Sequence, residues 1–256
     1  MSSISILAVL LCALLCGVAG GLVVTHAGLG ATVSSMPPMP SIPGPVDTAG
    51  VRTAARAVAQ VASTGVCGNG GGTAWPAGNG LYVTAAHVVA GATQVTVSPQ
   101  GEQPVSASVV VFDPLNDVAV LSVPVSSSRA LPLAAVPAPA GERVAVAGFG
   151  GGQLGVQMAT VIDDGPFLWT GDFPSEASHV TDFVYATQGA EGGDSGGPVV
   201  DASGEVIGIV TGGTTETWAS GVSNVSADID QAGLSPSPVS TGKACPPGSF
   251  DILGQE

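Results

Sequence analysis

Three short stretches of the chain carry side chains suited to acyl transfer. Leu81-Tyr-Val-Thr84-Ala-Ala-His87-Val-Val ends an apolar β-type run on a histidine, the side chain whose charge changes closest to neutral pH. Asn116-Asp117-Val-Ala-Val-Leu121 opens a second apolar run on an aspartate. Gly192-Gly193-Asp194-Ser195-Gly-Gly-Pro198 sets a serine in a glycine-dense turn. Taken singly, each has a plain structural use: a core histidine, a strand-entry residue, and a turn made of turn formers. Taken together they are the types that hydroxyl chemistry requires, since a serine is a poor nucleophile at neutral pH until an adjacent base takes its proton.

In order and in local context these residues resemble the chymotrypsin-like (trypsin-type) serine proteases, over roughly residues 57–233. The likeness is greatest to bacterial members with short loops, in particular membrane-anchored periplasmic proteases of mycobacteria. The resemblance implies that His87 is the base and later the acid that protonates the leaving amine. It implies that Asp117 holds the imidazole tautomer and stabilises the imidazolium, and that Ser195 is the nucleophile. The backbone N–H groups of Gly193 and Ser195 would then donate to the carbonyl oxygen as it gains charge. The missing side chains at Gly192 and Gly193 let the backbone take that shape. The same resemblance puts Gly189 at the floor of the specificity pocket. Thr211, Gly212 and Gly213 fall on the strand that pairs with substrate, with Thr211 also in a position to bond Asp117. No carboxylate stands at Gly189, so an uncharged, small to medium apolar residue is expected before the cut, unless Glu191 points into the pocket.

Gly193-Asp-Ser195-Gly-Gly197 also satisfies the G-x-S-x-G turn of α/β-hydrolases. That motif needs a helix after the serine and a histidine later in the chain. Here Gly197-Pro198-Val-Val suits a strand, and His26, His87 and His179 all precede Ser195. His26 reads as incidental and His179 as solvent-exposed. Asp163, Asp164, Asp172, Glu176 and Asp182 gather without a base, but at no calcium-loop spacing, so a solvated acidic loop is expected and neither metal nor cofactor. Animal members of the family hold the aspartate before the serine with a freshly cleaved N-terminus, and no such activation sequence precedes the β-rich region. The cations open to Asp194 are Arg129 and Arg143, then Arg52, Arg56 and Lys243. Cys67 and Cys245 bracket the β-rich region and are the cysteines outside the apolar lead. In an oxidising compartment they read as a disulfide, the alternative being two free thiols.

The elements that must position these residues are mostly strands. Candidates fall at 81–84, 94–98, 105–111, 118–123, 143–147, 157–162, 182–187, 198–200 and 205–211, with turn signals between them. That spacing favours an all-β sandwich or barrel. The resemblance sharpens it to two packed six-stranded antiparallel barrels with a short C-terminal helix. A helix is expected at 224–232, with Asn224 as its cap, while 51–62 reads as helix or strand.

Composition agrees. In 256 residues, 38 glycines and 20 prolines exclude a long-helix class. A hydrophobic fraction of 45% with 9% charged residues argues against disorder. A net charge of −14 with Lys243 as sole lysine excludes nucleic acid as a partner. No charged side chain precedes Asp47, and Ile4 to Val24 is almost unbroken apolar sequence. Residues 1–24 are therefore a signal peptide or a signal-anchor helix, and 25–50, with five prolines between Met36 and Pro45, a semi-rigid linker. Residues 51–240 are expected to form the protease-like domain and 241–256 a tail. Either reading of the lead places the domain outside the cytoplasm, in the cell envelope or secreted. Expected partners are protein or peptide substrates, and the membrane if the lead is retained, for a monomer. The competing readings are a catalytically silent peptide-binding domain and a membrane-tethered sensor.

Overall fold

A computed structural model describes residues 48–124, 129–164, 167–169, 178–180, 183–186, 190–213 and 217–242. The apolar lead with His26, the proline linker, Gly189, Lys243, Cys245 and the rest of the tail lie outside the described residues, as do the side chains of the acidic stretch 163–182.

The first barrel is built from β1 (Ala59–Gly65), β2 (Gly68–Gly78), β3 (Leu81–Thr84), β4 (Ala92–Pro99), β5 (Val105–Asp113) and β6 (Val118–Ser122). Its order is β1-β2-β3-β6-β5-β4, closed by antiparallel pairing of β1 with β4. The chain continues through β7 (Arg143–Gly148), β8 (Gly155–Asp164), the paired strands β9 (Phe167–Trp169) and β10 (Ser178–Val180), and then β11 (Phe183–Ala186), β12 (Pro198–Val200), β13 (Val206–Gly213) and β14 (Thr217–Gly221). A second closed barrel runs β11-β14-β13-β12-β7-β8. Both expected six-stranded barrels are thus present. His179 lies on β10 opposite Leu168.

The apolar run after Asp117 is buried on both faces, which explains its lack of alternation. Ala119 and Leu121 point into the first barrel with Val97 and Val109. Val118 instead joins Trp75, Val83, Leu131, Ile209 and Val225 in the core between the barrels. Val120 packs with Leu81, Val110 and Ala232 of the C-terminal helix. The second barrel closes over Val144, Val146, Val161, Val199, Ile207 and Val210.

The segment 51–62 turns out to be both helix and strand. Helix α1 (Ala49–Ala57) is capped by the Thr48 hydroxyl, which accepts from the Val51 N–H at 3.2 Å, and Val58 turns extended to enter β1. The C-terminal helix α3 (Val222–Leu234) begins before the expected cap: Gly221 is the N-cap, and Asn224 donates to the Ser220 hydroxyl at 3.2 Å. His87 sits not at a strand end but in a single helical turn, α2 (Ala86–Val89), directly after β3. Strand β2 escapes a reading by side-chain type because Gly68-Asn-Gly-Gly-Gly72 has no pattern to show. Its glycines answer to close approach: a Cβ at Gly70 would lie 2.5 Å from the Ser63 hydroxyl, and one at Gly72 would lie 2.7 Å from both the Ser195 carbonyl oxygen and a Val88 methyl.

Candidate active site

Asp117 is delivered by the tight turn between β5 and β6. Asp113 organises this turn, its Oδ1 accepting from the N–H groups of Leu115 and Asn116, and its Oδ2 from the Asn116 amide at 2.6 Å. Asp117 itself has a φ of 55°, a left-handed conformation that aspartate tolerates better than most residues. From there it grips α2 three ways. Its carbonyl accepts from the Ala86 N–H at 3.1 Å, its Oδ1 accepts from the His87 N–H at 2.9 Å, and its Oδ2 lies 2.8 Å from His87 Nδ1. Asp117 is 1% exposed and the His87 side chain 20%. An ionised carboxylate only accepts, so against it Nδ1 is the ring nitrogen suited to donate and Nε2 the one suited to accept.

Ser195 occupies a turn tied to both barrels. Its carbonyl accepts from the Thr73 N–H of β2 at 2.8 Å, while the Gly196 N–H donates to Val210 of β13 at 2.7 Å. The turn depends on glycine. Gly196, at φ 81°, has no room for a Cβ, which would fall 2.4 Å from both the Thr73 carbonyl and the Thr84 hydroxyl. Gly193 has a φ of 108°, and a Cβ there would fall 2.3 Å from the Phe149 carbonyl. The Gly192 carbonyl accepts from the Gly151 N–H at 2.9 Å. In a trans peptide the C=O and N–H point opposite ways, so this bond aims the Gly193 N–H away from Gly151.

Asp194 is buried, and its Oδ2 accepts from the Gln157 amide at 3.0 Å and from the Glu191 N–H at 2.9 Å. Gly148 and Gly150 make room for it: a Cβ on either would approach the carboxylate to 2.4 or 2.8 Å. Among the described residues no cation reaches this carboxylate. Arg129 is exposed after β6, and Arg143 opens β7 opposite Thr160. Among the described residues, the side chain that serves Asp194 is a neutral amide 37 positions upstream, with no local sequence signal.

Thr211, Gly212 and Gly213 lie at the end of β13, as expected, beyond its pairing with β12, and Gly213 has a φ of 144°. The Thr211 hydroxyl, however, donates to the Trp218 carbonyl at 3.1 Å and not to Asp117. The Glu191 carboxylate lies beside Gly151. Cys67, at the β1–β2 turn, is disulfide-bonded. Behind the site, buried Asp228 of α3 has its pKa pushed up to about 7, first by burial and second by the charge of Asp113.

Two closed β-barrels carrying a His–Asp pair and a glycine-bound serine turn define the trypsin-like class of peptidases. The chain belongs to that family: its model, the trypsin-like peptidase domain, matches residues 63–209. Among curated proteins it is 38% identical to the serine protease Rv3671c of Mycobacterium tuberculosis over 168 residues. That match covers 64% of this chain and 42% of the relative, so the chain spans about two fifths of the relative's length. Among solved structures, the active form of the M. tuberculosis Rv3671c protease superposes with a TM-score of 0.72 at 30% identity, covering 84% of this chain and 99% of that one. An inactive form of the same protease gives 0.64 at 29% identity, covering 75% and 98%. The HtrA-type protease AlgW, solved with a tripeptide, gives 0.61 at 26% identity, covering 72% and 62%.

Proposed function

We propose that the protein is an extracytoplasmic serine endopeptidase that hydrolyses peptide bonds through an acyl-enzyme. The observation that carries this reading is the 2.8 Å contact between His87 Nδ1 and Asp117 Oδ2, made where β2 and β3 hold the Ser195 turn against the His87 helix. His87 Nε2 takes the Ser195 hydroxyl proton as Oγ attacks the scissile carbonyl. The oxygen of the tetrahedral intermediate accepts from the Gly193 and Ser195 N–H groups. Collapse breaks the C–N bond, and His87 returns the proton to the leaving amine. His87 then deprotonates a water that attacks the ester, releasing the acid and restoring Ser195. The substrate backbone adds as a strand beside 211–213, where β13 has run past β12.

The disulfide at Cys67 supports an extracytoplasmic compartment, since such bonds persist in oxidising surroundings. Its partner in this reading is Cys245. The Thr241 carbonyl accepts from the Gly91 N–H at 3.0 Å, and Gly91 abuts Cys67 Sγ. Four residues extend up to about 14 Å, enough to bring Cys245 back to it. Residues 1–24 act as signal or anchor. A fluorophosphonate probe tests the enzyme: the purified domain should be labelled, and Ser195→Ala should abolish the label. An unlabelled wild-type domain that still binds peptide would instead indicate a silent binding module.

A further inference from the structure

We propose that Thr73 is a positioning residue for the oxyanion loop, acting from the first barrel on a turn of the second; the proposal rests on the assignment of Ser195 as nucleophile and of Gly193 and Ser195 as oxyanion donors. The Thr73 hydroxyl donates to the Gly193 carbonyl at 2.7 Å and accepts from the Phe149 N–H at 3.0 Å. A hydroxyl has one hydrogen and two lone pairs, so one group serves both contacts. Thr73 is fully buried, which leaves water no access to replace either bond. Its main chain holds the same region: the N–H donates to the Ser195 carbonyl at 2.8 Å, and its carbonyl accepts from the Thr84 hydroxyl at 2.8 Å.

These bonds form a closed circuit. Thr73 anchors Phe149, and Phe149 leads into the turn Gly150–Gly152. Gly151 of that turn holds the Gly192 carbonyl, and Thr73 holds the Gly193 carbonyl. Each of the two peptides flanking the Gly193 α-carbon is thereby held through its carbonyl. This matters because glycine resists rotation less than any other residue, and Gly193 sits at a φ of 108°. Without the hydroxyl, the Gly193 carbonyl and the Phe149 N–H lose their shared partner, and nothing else described holds the Gly193 carbonyl. With Phe149 released, the Gly150–Gly152 turn loosens its hold on the Gly192 carbonyl, and the Gly193 N–H of that peptide samples orientations that miss the oxygen. The effect falls on the transition state, where that oxygen is charged, and not on ground-state binding along β13.

The test compares wild type with Thr73→Val, which keeps the shape and removes the hydroxyl, and with Thr73→Ser, which restores it. Thr73→Val should lower kcat on a peptide ester by about 10- to 100-fold, less than outright loss of an oxyanion donor, with KM within twofold. Affinity for a peptide aldehyde, which forms the charged tetrahedral adduct, should fall in parallel with kcat. The acid limb of the pH–rate profile should not move, because the change does not touch His87. Thr73→Ser should recover most of the rate. Amide hydrogen exchange at Phe149 should accelerate in Thr73→Val and not in Thr73→Ser. Unchanged kcat and aldehyde affinity in Thr73→Val, or equal loss in Thr73→Ser, would overturn the proposal. If Thr73→Val does not fold, Thr73→Ala carries the same comparison. Absence of turnover and labelling in wild type would mark failure of the enzymatic reading, and the Phe149 exchange would still decide whether the hydroxyl holds the loop.

Discussion

Neutralising Asp228 should stabilise the protein at alkaline pH and leave it unchanged in acid. Asp228 is 7% exposed on α3, and its Oδ2 has no hydrogen-bond partner among the described residues. Burial and the nearby charge of Asp113 raise its pKa from 3.8 to about 7. A carboxyl with a raised pKa binds its proton more tightly in the folded state. Its contribution is therefore complete below about pH 4 and is lost as pH rises through 7. A tenfold change in proton affinity corresponds to about 1.4 kcal/mol, so the rise sets a ceiling of about 4 kcal/mol, of which roughly 2 kcal/mol is expected once solvent screening of the carboxyl's remaining exposed edge is allowed for. Asp228→Asn keeps the shape and removes the titration. Guanidinium unfolding of wild type and variant from pH 4 to 8 measures the difference directly, because the other carboxylates cancel. The variant should gain about 2 kcal/mol at pH 8 and nothing at pH 4, with the change centred near the pH range that ends at 7. A stability difference that is flat across the range would refute the reasoning. Asp113 adds a corollary: it holds the turn that presents Asp117, so relief of its repulsion should leave kcat at pH 8 intact.

Two further changes test the site and the staple. Gly193→Ala forces a Cβ to 2.3 Å from the Phe149 carbonyl, so the turn must move; kcat should fall on the order of 100-fold or more while Tm, read by circular dichroism, drops only a few degrees. Cys67→Ser should cost roughly 4 kcal/mol if it opens a bond to Cys245, and should abolish the effect of reductant on unfolding. A cross-link at Cys67 that survives Cys245→Ser, seen by mass spectrometry, would reassign its partner.

Asp117 and Ser195 stand out as candidates because each lies inside a local pattern that records its own backbone, an apolar run opening on an acid and a turn of glycines; His87 stands out because it follows an apolar run that ends in small residues. The strands beside them were legible for the same reason. Strand β2 was not, since its glycines carry no pattern and are explained only by the serine turn and by Ser63 pressing on them. The histidine's single helical turn was also missed, because four residues leave no period. Asn224 was the wrong cap, as Gly221 starts the helix from the end of β14. Among the described residues, Asp194 is served not by the arginines weighed for it but by Gln157, whose amide arrives through the pairing of β7 with β8. The bond foreseen from Thr211 to Asp117 goes to Trp218, the partner that the β13–β14 register brings nearer.

What the amino-acid sequence determined by itself was the set of chemical groups, their order, and the all-β character of the region that carries them. Those depend on side-chain type, burial pattern and turn propensity over a few neighbouring positions. Tertiary structure alone decided which distant groups meet. The Thr73 hydroxyl reaches Gly193 across 120 residues, and Gln157 reaches Asp194 across 37. Such pairs form because two barrels close and pack on Trp75, Val118 and Ile209. Closure fixes registers that no short stretch encodes, and the buried polar groups it traps must then find one another.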